Sequence, residues 1–194
     1  MKLLIQKLLR ENLLEARTTI NDTADLAILS LDNNSVFILI NIKTNEPLGY
    51  ISFSPTDGDV YGIYGAYAKE GYGPLLYELA MTQVYPKGIT MSDDSTTSDD
   101  ALNVWEKFMA RPEVKKKPIK RTHKTEKEEI LATDFNKGDE RYKEWVKNVL
   151  KLHYTQFIYD IGKDKLNQLI EKGNLYMKKH PNLDTDKMIY DLES

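Results

Sequence analysis

The chain has 194 residues, of which 41% are hydrophobic, enough for the core of one ordinary domain or of a small domain with an appendage. Its 27 basic and 30 acidic residues leave a net charge of −3, so no global positive field draws it to a polyanion. The absence of cysteine excludes disulfides, thiol catalysis and thiolate-bound zinc, and suits a reducing, cytoplasmic setting.

The opening "MKLLIQKLLRENLLEA" is broken by Lys7, Arg10 and Glu11, and no small-residue cleavage site follows, so it does not read as a secretory leader. Leu4, Leu8 and Leu9, with Ile5 and Leu13, recur at helical spacing and predict an amphipathic helix over 1–20. Its apolar face needs a partner, either its own core or another protein. No apolar stretch reaches the roughly 20 residues of a membrane span, so no membrane partner is expected.

Residues 21–112 are expected to form a core of short strands and two helices. "LAILSL", "SVFILINI", "LGYISFS" and "VYGIYGAY" are β-branched and aromatic runs separated by turn residues, which predicts a four-strand meander. Asn33-Asn34 and Asp57-Gly58-Asp59 supply its hairpin turns. A helix is predicted from Pro74 to about Gln83, proline suiting a first turn whose amide would be unpaired anyway. "GITMS" reads as a short fifth strand, and Ser98 as the cap of a helix through "DDALNVWEKFMA".

Residues 113–138, with the run "PEVKKKPIKRTHKTEKEE", read as a charged linker. The basic stretch Lys115–Lys124 could meet phosphates, but no aromatic residues are interleaved with it and nucleic acid is not an expected partner. Residues 139–194 read as a helical C-terminal region: one helix marked by Trp145, Val149, Leu152, Phe157 and Ile158, a second by Leu166, Leu169, Ile170 and Tyr176, and a short last one, "TDKMIYDL". The expected fold class is α/β (α+β), a mixed, mostly antiparallel sheet flanked by helices with a helical C-terminal extension.

The stretch "GAYAKEGYGPLLYELAM" (65–81) places a glycine turn between a strand and a helix. Gly71 and Gly73 permit positive φ and a close approach to the main chain, and a helix opening at Pro74 directs unpaired amides and a positive dipole end at one point. That is the makeup of an anion cradle, and equally of an ordinary structural turn. No "GK[ST]" closes it as a Walker A loop, and a third glycine for a dinucleotide fingerprint is missing. The histidines His123, His153 and His180 lie far apart and show no metal-ligand spacing, so no metal is expected.

"VYGIYGAYAKEGYGPLLYELAM" and "ITMSDDSTTSDDALNVWEKF" together resemble the central half of the GNAT acyltransferase superfamily, and most nearly the GNAT-like proteins of tailed bacteriophages. The resemblance covers roughly 50 residues, or about 90 with the earlier strands. It implies acetyl-coenzyme A as cofactor. Tyr64, Gly65, Ala66 and Tyr67 would line the pantetheine arm through their backbone, while Gly71, Tyr72, Gly73 and Pro74 would hold the pyrophosphate. It implies also a fifth strand that splays from the fourth to admit the arm. Two positions depart from the family pattern: Ala68 stands where Arg or Gln is usual, and Trp105 where many members carry a proton-donating tyrosine.

Acyl transfer to an amine needs a base and donors for the thioester oxygen. Asp93 and Asp94 are the base candidates by their position after the fifth strand, although "SDDSTTSDD" also serves as a solvated, helix-capping loop. An amide near Gly65 or Ala66 would polarise the carbonyl. A hydroxyl could come from Tyr64, Tyr67, Tyr72 or Tyr77. Two functions follow: an N-acyltransferase moving an acetyl group from acetyl-coenzyme A, a small-molecule acyl donor, to an amine; or a catalytically silent GNAT-like scaffold, a structural or interaction protein of a phage virion. In the second, the N-terminal helix or the C-terminal helices would meet a protein partner.

Overall fold

Successive strand side chains point to opposite faces, so the continuous apolar runs of the first strands bring core against both faces. The computed structural model describes residues 24–56, 60–91, 97–119 and 140–194. In it β1 (Leu26–Leu31), β2 (Val36–Asn41), β3 (Glu46–Pro55) and β4 (Val60–Ala68) form the expected antiparallel meander. Ile28 pairs with Leu39 in one apolar cluster, whereas Ala27 pairs with Ile40 and Leu29 with Ile38 in the other. Asp32, Asn33 and Asn34 join β1 to β2 with φ of 49°, 56° and 67°, left-handed values that short polar side chains tolerate.

α1 (Gly73–Val84) leads to β5 (Gly88–Thr90), which lies parallel to the start of β4. α2 (Asp99–Ala110) begins as expected at Ser98, whose Oγ accepts the Ala101 amide at 3.2 Å, with Asp99 and Asp100 in the positive first turn.

The sheet continues past residue 112. Lys115–Pro118, expected within a linker, forms the edge strand β6, and Thr155–Ile158 forms β7 between β6 and β5. Phe157 and Ile158 were expected on a helix with Val149 and Leu152, but α3 (Glu140–His153) ends before them. Four residues bearing a β-branched Thr and Ile and a Phe suit a strand, and their spacing alone reads either way. Three lysines and a proline carry little apolar signal because β6 is an outer edge, where such residues discourage pairing with other chains. The sheet order is β1-β2-β3-β4-β5-β7-β6.

α4 (Lys163–Lys179) runs against β1, contributing Leu166 and Leu169 to one cluster and Tyr176 to the other. It therefore straddles the sheet edge. α5 (Thr185–Glu193) sends Leu192 into the second cluster, and its Glu193 carboxylate accepts a hydrogen bond from the Tyr50 hydroxyl.

The fold is thus mixed α/β: the described residues give a seven-stranded, mostly antiparallel sheet flanked by five helices. None of those helices is long and apolar enough to cross a membrane. The amphipathic helix expected over 1–20, the Asp57-Gly58-Asp59 turn, and residues 120–139 of the charged segment lie outside the described residues.

Candidate functional site

The glycine turn stands where β4 and β5 part. β4 pairs with β5 only through Val60, Tyr61 and Gly62, opposite Gly88, Ile89 and Thr90. From Ile63 to Ala68 it is held by β3 alone among the described residues. The separation follows from lengths: β4 has nine residues and β5 three. One edge of the outer half of β4 therefore presents backbone groups without a ladder partner.

A β-bulge sits at the parting point. Ser52 pairs with Gly65 and Phe53 with Ile63, so Tyr64 is the extra residue of β4. The bulge turns Tyr64 outward, 61% exposed, and Tyr67 is 43% exposed. Gly65 is half-buried beside Tyr50 and Ser52: a Cβ there would lie 3.1 Å from Ser52 Oγ and 3.2 Å from Tyr50 Oη. Ser52 Oγ donates to the Gly65 carbonyl at 3.3 Å. Ala66 is exposed.

Beyond Ala68 the chain makes a tight turn. The Lys69 amide donates to the Leu48 carbonyl at 2.9 Å, the Tyr72 amide returns to the Lys69 carbonyl at 3.1 Å, and Gly71 takes φ 92°, a value glycine accepts without strain. α1 then opens with Pro74 in its first turn, no capping side chain and no acid. The amides of Gly71, Gly73 and Leu75 have no acceptor among the described residues. Three donors and the positive end of a twelve-residue helix thus sit at the mouth between β4 and β5.

The pyrophosphate and arm residues expected from the resemblance, Tyr64 to Tyr67 and Gly71 to Pro74, are accordingly contiguous along one strand edge and the turn that follows it. The base candidates Asp93 and Asp94 lie outside the described residues. Ala68 has no side-chain donor to offer. Trp105 is 2% exposed and packs against Tyr77 at 5.0 Å and Phe157 at 4.9 Å between ring centroids.

Two features were not singled out in the sequence as parts of a site. Tyr77, named only among several hydroxyl sources, is 5% exposed, and burial pushes its phenol up to about 12. Glu78, the next residue, is 3% exposed and ion-paired with Arg111, which also bonds Glu113 at 2.7 Å. Desolvation raises the Glu78 carboxyl above the ordinary range, with Arg111 opposing it. The Arg111 guanidinium lies 5.3 Å from the Phe108 ring and 5.0 Å from that of Tyr159.

The tyrosines supply a direct check on this packing. Tyr50 is likewise pushed up to about 12, by desolvation first and then by its bond to Glu193. Folded phenols that hold their protons to about 12, against about 10 when unfolded, make stability fall as pH climbs through that window. Burial raises the Tyr159 phenol as well, so spectrophotometric titration of the folded protein is expected to show a late-ionising fraction that includes Tyr50, Tyr77 and Tyr159. Tyr50→Phe and Tyr77→Phe should each remove one phenol from it, and an unchanged curve would contradict the burial described.

Among the described residues no group of three His, Asp or Glu side chains is placed to hold a metal ion. No protein-family model, curated protein or solved structure matches this chain.

Proposed function

We propose that this chain binds an acyl-coenzyme A at the parting of β4 and β5 and is an N-acyltransferase of GNAT type, moving an acetyl group from acetyl-coenzyme A to an amine. The observation that carries the reading is the conjunction at one mouth of a β4 edge, Ile63 to Ala68, and an α1 N-terminus without a capping side chain, whose first amides have no acceptor, both as seen among the described residues. A diphosphate fits the amides and the helix dipole. An extended, amide-bearing arm fits the open strand edge, where it can exchange main-chain hydrogen bonds as a neighbouring strand would. The parallel β4/β5 pair joined through α1 and opening after three residues agrees with the splayed strands that the resemblance implies.

In the reaction the amine nitrogen attacks the thioester carbonyl, the C–S bond breaks, the sulfur leaves as thiolate and takes a proton, and the amine loses one to a base. An amide at the bulged part of β4, by Gly65 or Ala66, polarises the carbonyl. Asp93 or Asp94 is the proposed base, and the setting is cytoplasmic.

A second reading, a silent scaffold of a phage virion, is favoured by one observation: Trp105 is sealed in an aromatic cluster and offers no hydroxyl to the departing sulfur. Calorimetric titration with acetyl-coenzyme A separates the two. Micromolar binding is expected, and Gly73→Val, whose branches would cover the first-turn amides, should weaken it at least about tenfold with circular dichroism unchanged. A Cβ at Gly73 meets only ordinary contacts, Val104 at 3.7 Å and Ala68 at 3.9 Å, so the fold should survive. A well-folded wild-type protein that binds no acetyl-coenzyme A would overturn the enzyme reading and leave the scaffold.

A further inference from the structure

Tyr77 is a polar side chain placed where a core needs none. Its ring is enclosed by Trp105 at 5.0 Å and Phe108 at 6.2 Å, and the residue is 5% exposed. Phenylalanine would make the same edge-on contacts. Yet the hydroxyl makes no hydrogen bond with any described residue, and its oxygen is not sealed within the core. A hydroxyl whose ring is buried while its oxygen stays reachable can bond water or a ligand, so its presence here calls for an explanation.

Its direction supplies one. Gly73 and Tyr77 are four residues apart on α1 and share a face. That face looks at α2, since a Cβ on Gly73 would lie 3.7 Å from Val104 Cγ2. The Tyr77 ring is closer to Trp105, the residue after Val104, than to Phe108. Long helical side chains lean from their own Cα back toward the preceding turn, which for Tyr77 is the opening turn of α1. At that turn the amides of Gly71, Gly73 and Leu75 have no acceptor among the described residues.

We infer that the Tyr77 hydroxyl is the hydrogen-bond donor that this site offers to the uncharged arm of its ligand, while the first-turn amides take the anionic group. The inference rests on the function proposed above and adds to it the residue that distinguishes a ligand with an arm from a bare diphosphate. The recipient is an oxygen or sulfur acceptor of the arm, which has no charge of its own to bind at the helix end. The phenol is protonated at neutral pH, and burial raises it further, so Tyr77 has a proton to donate there.

The test compares coenzyme A and inorganic pyrophosphate as probes of wild-type protein and of Tyr77→Phe, by calorimetry. The variant removes one oxygen from an otherwise apolar contact, so an unchanged melting temperature is expected and serves as the control for folding. Loss of one neutral hydrogen bond should weaken coenzyme A about five- to tenfold and leave pyrophosphate unchanged. A second readout is spectroscopic: coenzyme A should perturb the tyrosine ultraviolet absorbance of the wild type more than that of Tyr77→Phe, whose remaining change comes from the site tyrosines Tyr64, Tyr67 and Tyr72. Equal coenzyme A affinity in the two proteins overturns the role of Tyr77 and leaves the proposed function standing. Equal losses for both probes also overturn it, because the defect would then lie in the helix end itself. If the wild type binds neither probe, the proposed function falls and this inference with it.

Discussion

Gly173→Ala should loosen the protein by about 2–4 kcal/mol, although the same change in an exposed helix would stabilise it by nearly 1 kcal/mol. A Cβ at Gly173 would lie 1.8 Å from the carbonyl oxygen of Ile28, 2.6 Å from its carbonyl carbon and 3.2 Å from the Leu29 nitrogen. All three are backbone atoms of a paired strand, so no rotamer change relieves the contact. Either α4 lifts from β1 by more than an ångström or β1 is pushed from β2. Lifting α4 withdraws Leu166 and Leu169 from one cluster and Tyr176 from the other, since the helix straddles the edge. Urea unfolding should show a lower midpoint, and the melting temperature should drop about 5–12 °C for a chain of this size. Asn174→Ala, exposed one residue on, should change stability by no more than about 0.5 kcal/mol. If Gly173→Ala is instead neutral, α4 does not lie flush on β1.

That glycine also marks the limit of what the sequence discloses. A lone Gly inside an apolar-periodic helix reads as a mild weakness of the helix, and nothing local says that a strand carbonyl touches it. The meander was legible because each of its strands is a β-branched or aromatic run of six or more residues between clear turn residues. β6 and β7 were not, being four residues each, one built of lysines at an edge and the other continuing the apolar spacing of α3.

The candidate site divides in the same way. Gly71, Gly73 and Pro74 announce their turn, because positive φ and helix starts have residue preferences. The opening beside them depends on β5 stopping after Thr90 while β4 runs on to Ala68, a difference in length that the residues of neither strand encode alone. The bulge at Tyr64 depends on register with β3. The Tyr77 hydroxyl was one of four candidates in the sequence, and only its enclosure by Trp105 and Phe108 distinguishes it.

Arg111→Ala should cost about 3–5 kcal/mol near neutral pH, more than any exposed ion pair could explain. Arg111 leaves the end of α2, pairs with the buried Glu78 of α1, bonds the exposed Glu113, lies over Phe108 and Tyr159, and through its carbonyl accepts the Lys116 ammonium of β6. The side-chain truncation leaves the carbonyl bond in place and strips Glu78 of its cation inside the core. Burial already raises the Glu78 carboxyl, and Arg111 is the first influence that lowers it, so the variant should hold that proton to higher pH still. An acid raised in the folded state binds its proton there before the unfolded chain does, so stability falls as pH rises from the ordinary carboxylate range through the folded value. The cost of Arg111→Ala should therefore be largest at about pH 7 and shrink toward about pH 5, where Glu78 can enter the core neutral. Glu78→Gln in the Arg111→Ala background should recover part of the loss at about pH 7, because an uncharged amide is cheaper to bury than a lone carboxylate. A double-mutant cycle in urea at both pH values measures the coupling. A loss that is the same at both, with no rescue by Glu78→Gln, would mean that Arg111 acts through its packing on Phe108 and Tyr159 and not through its charge.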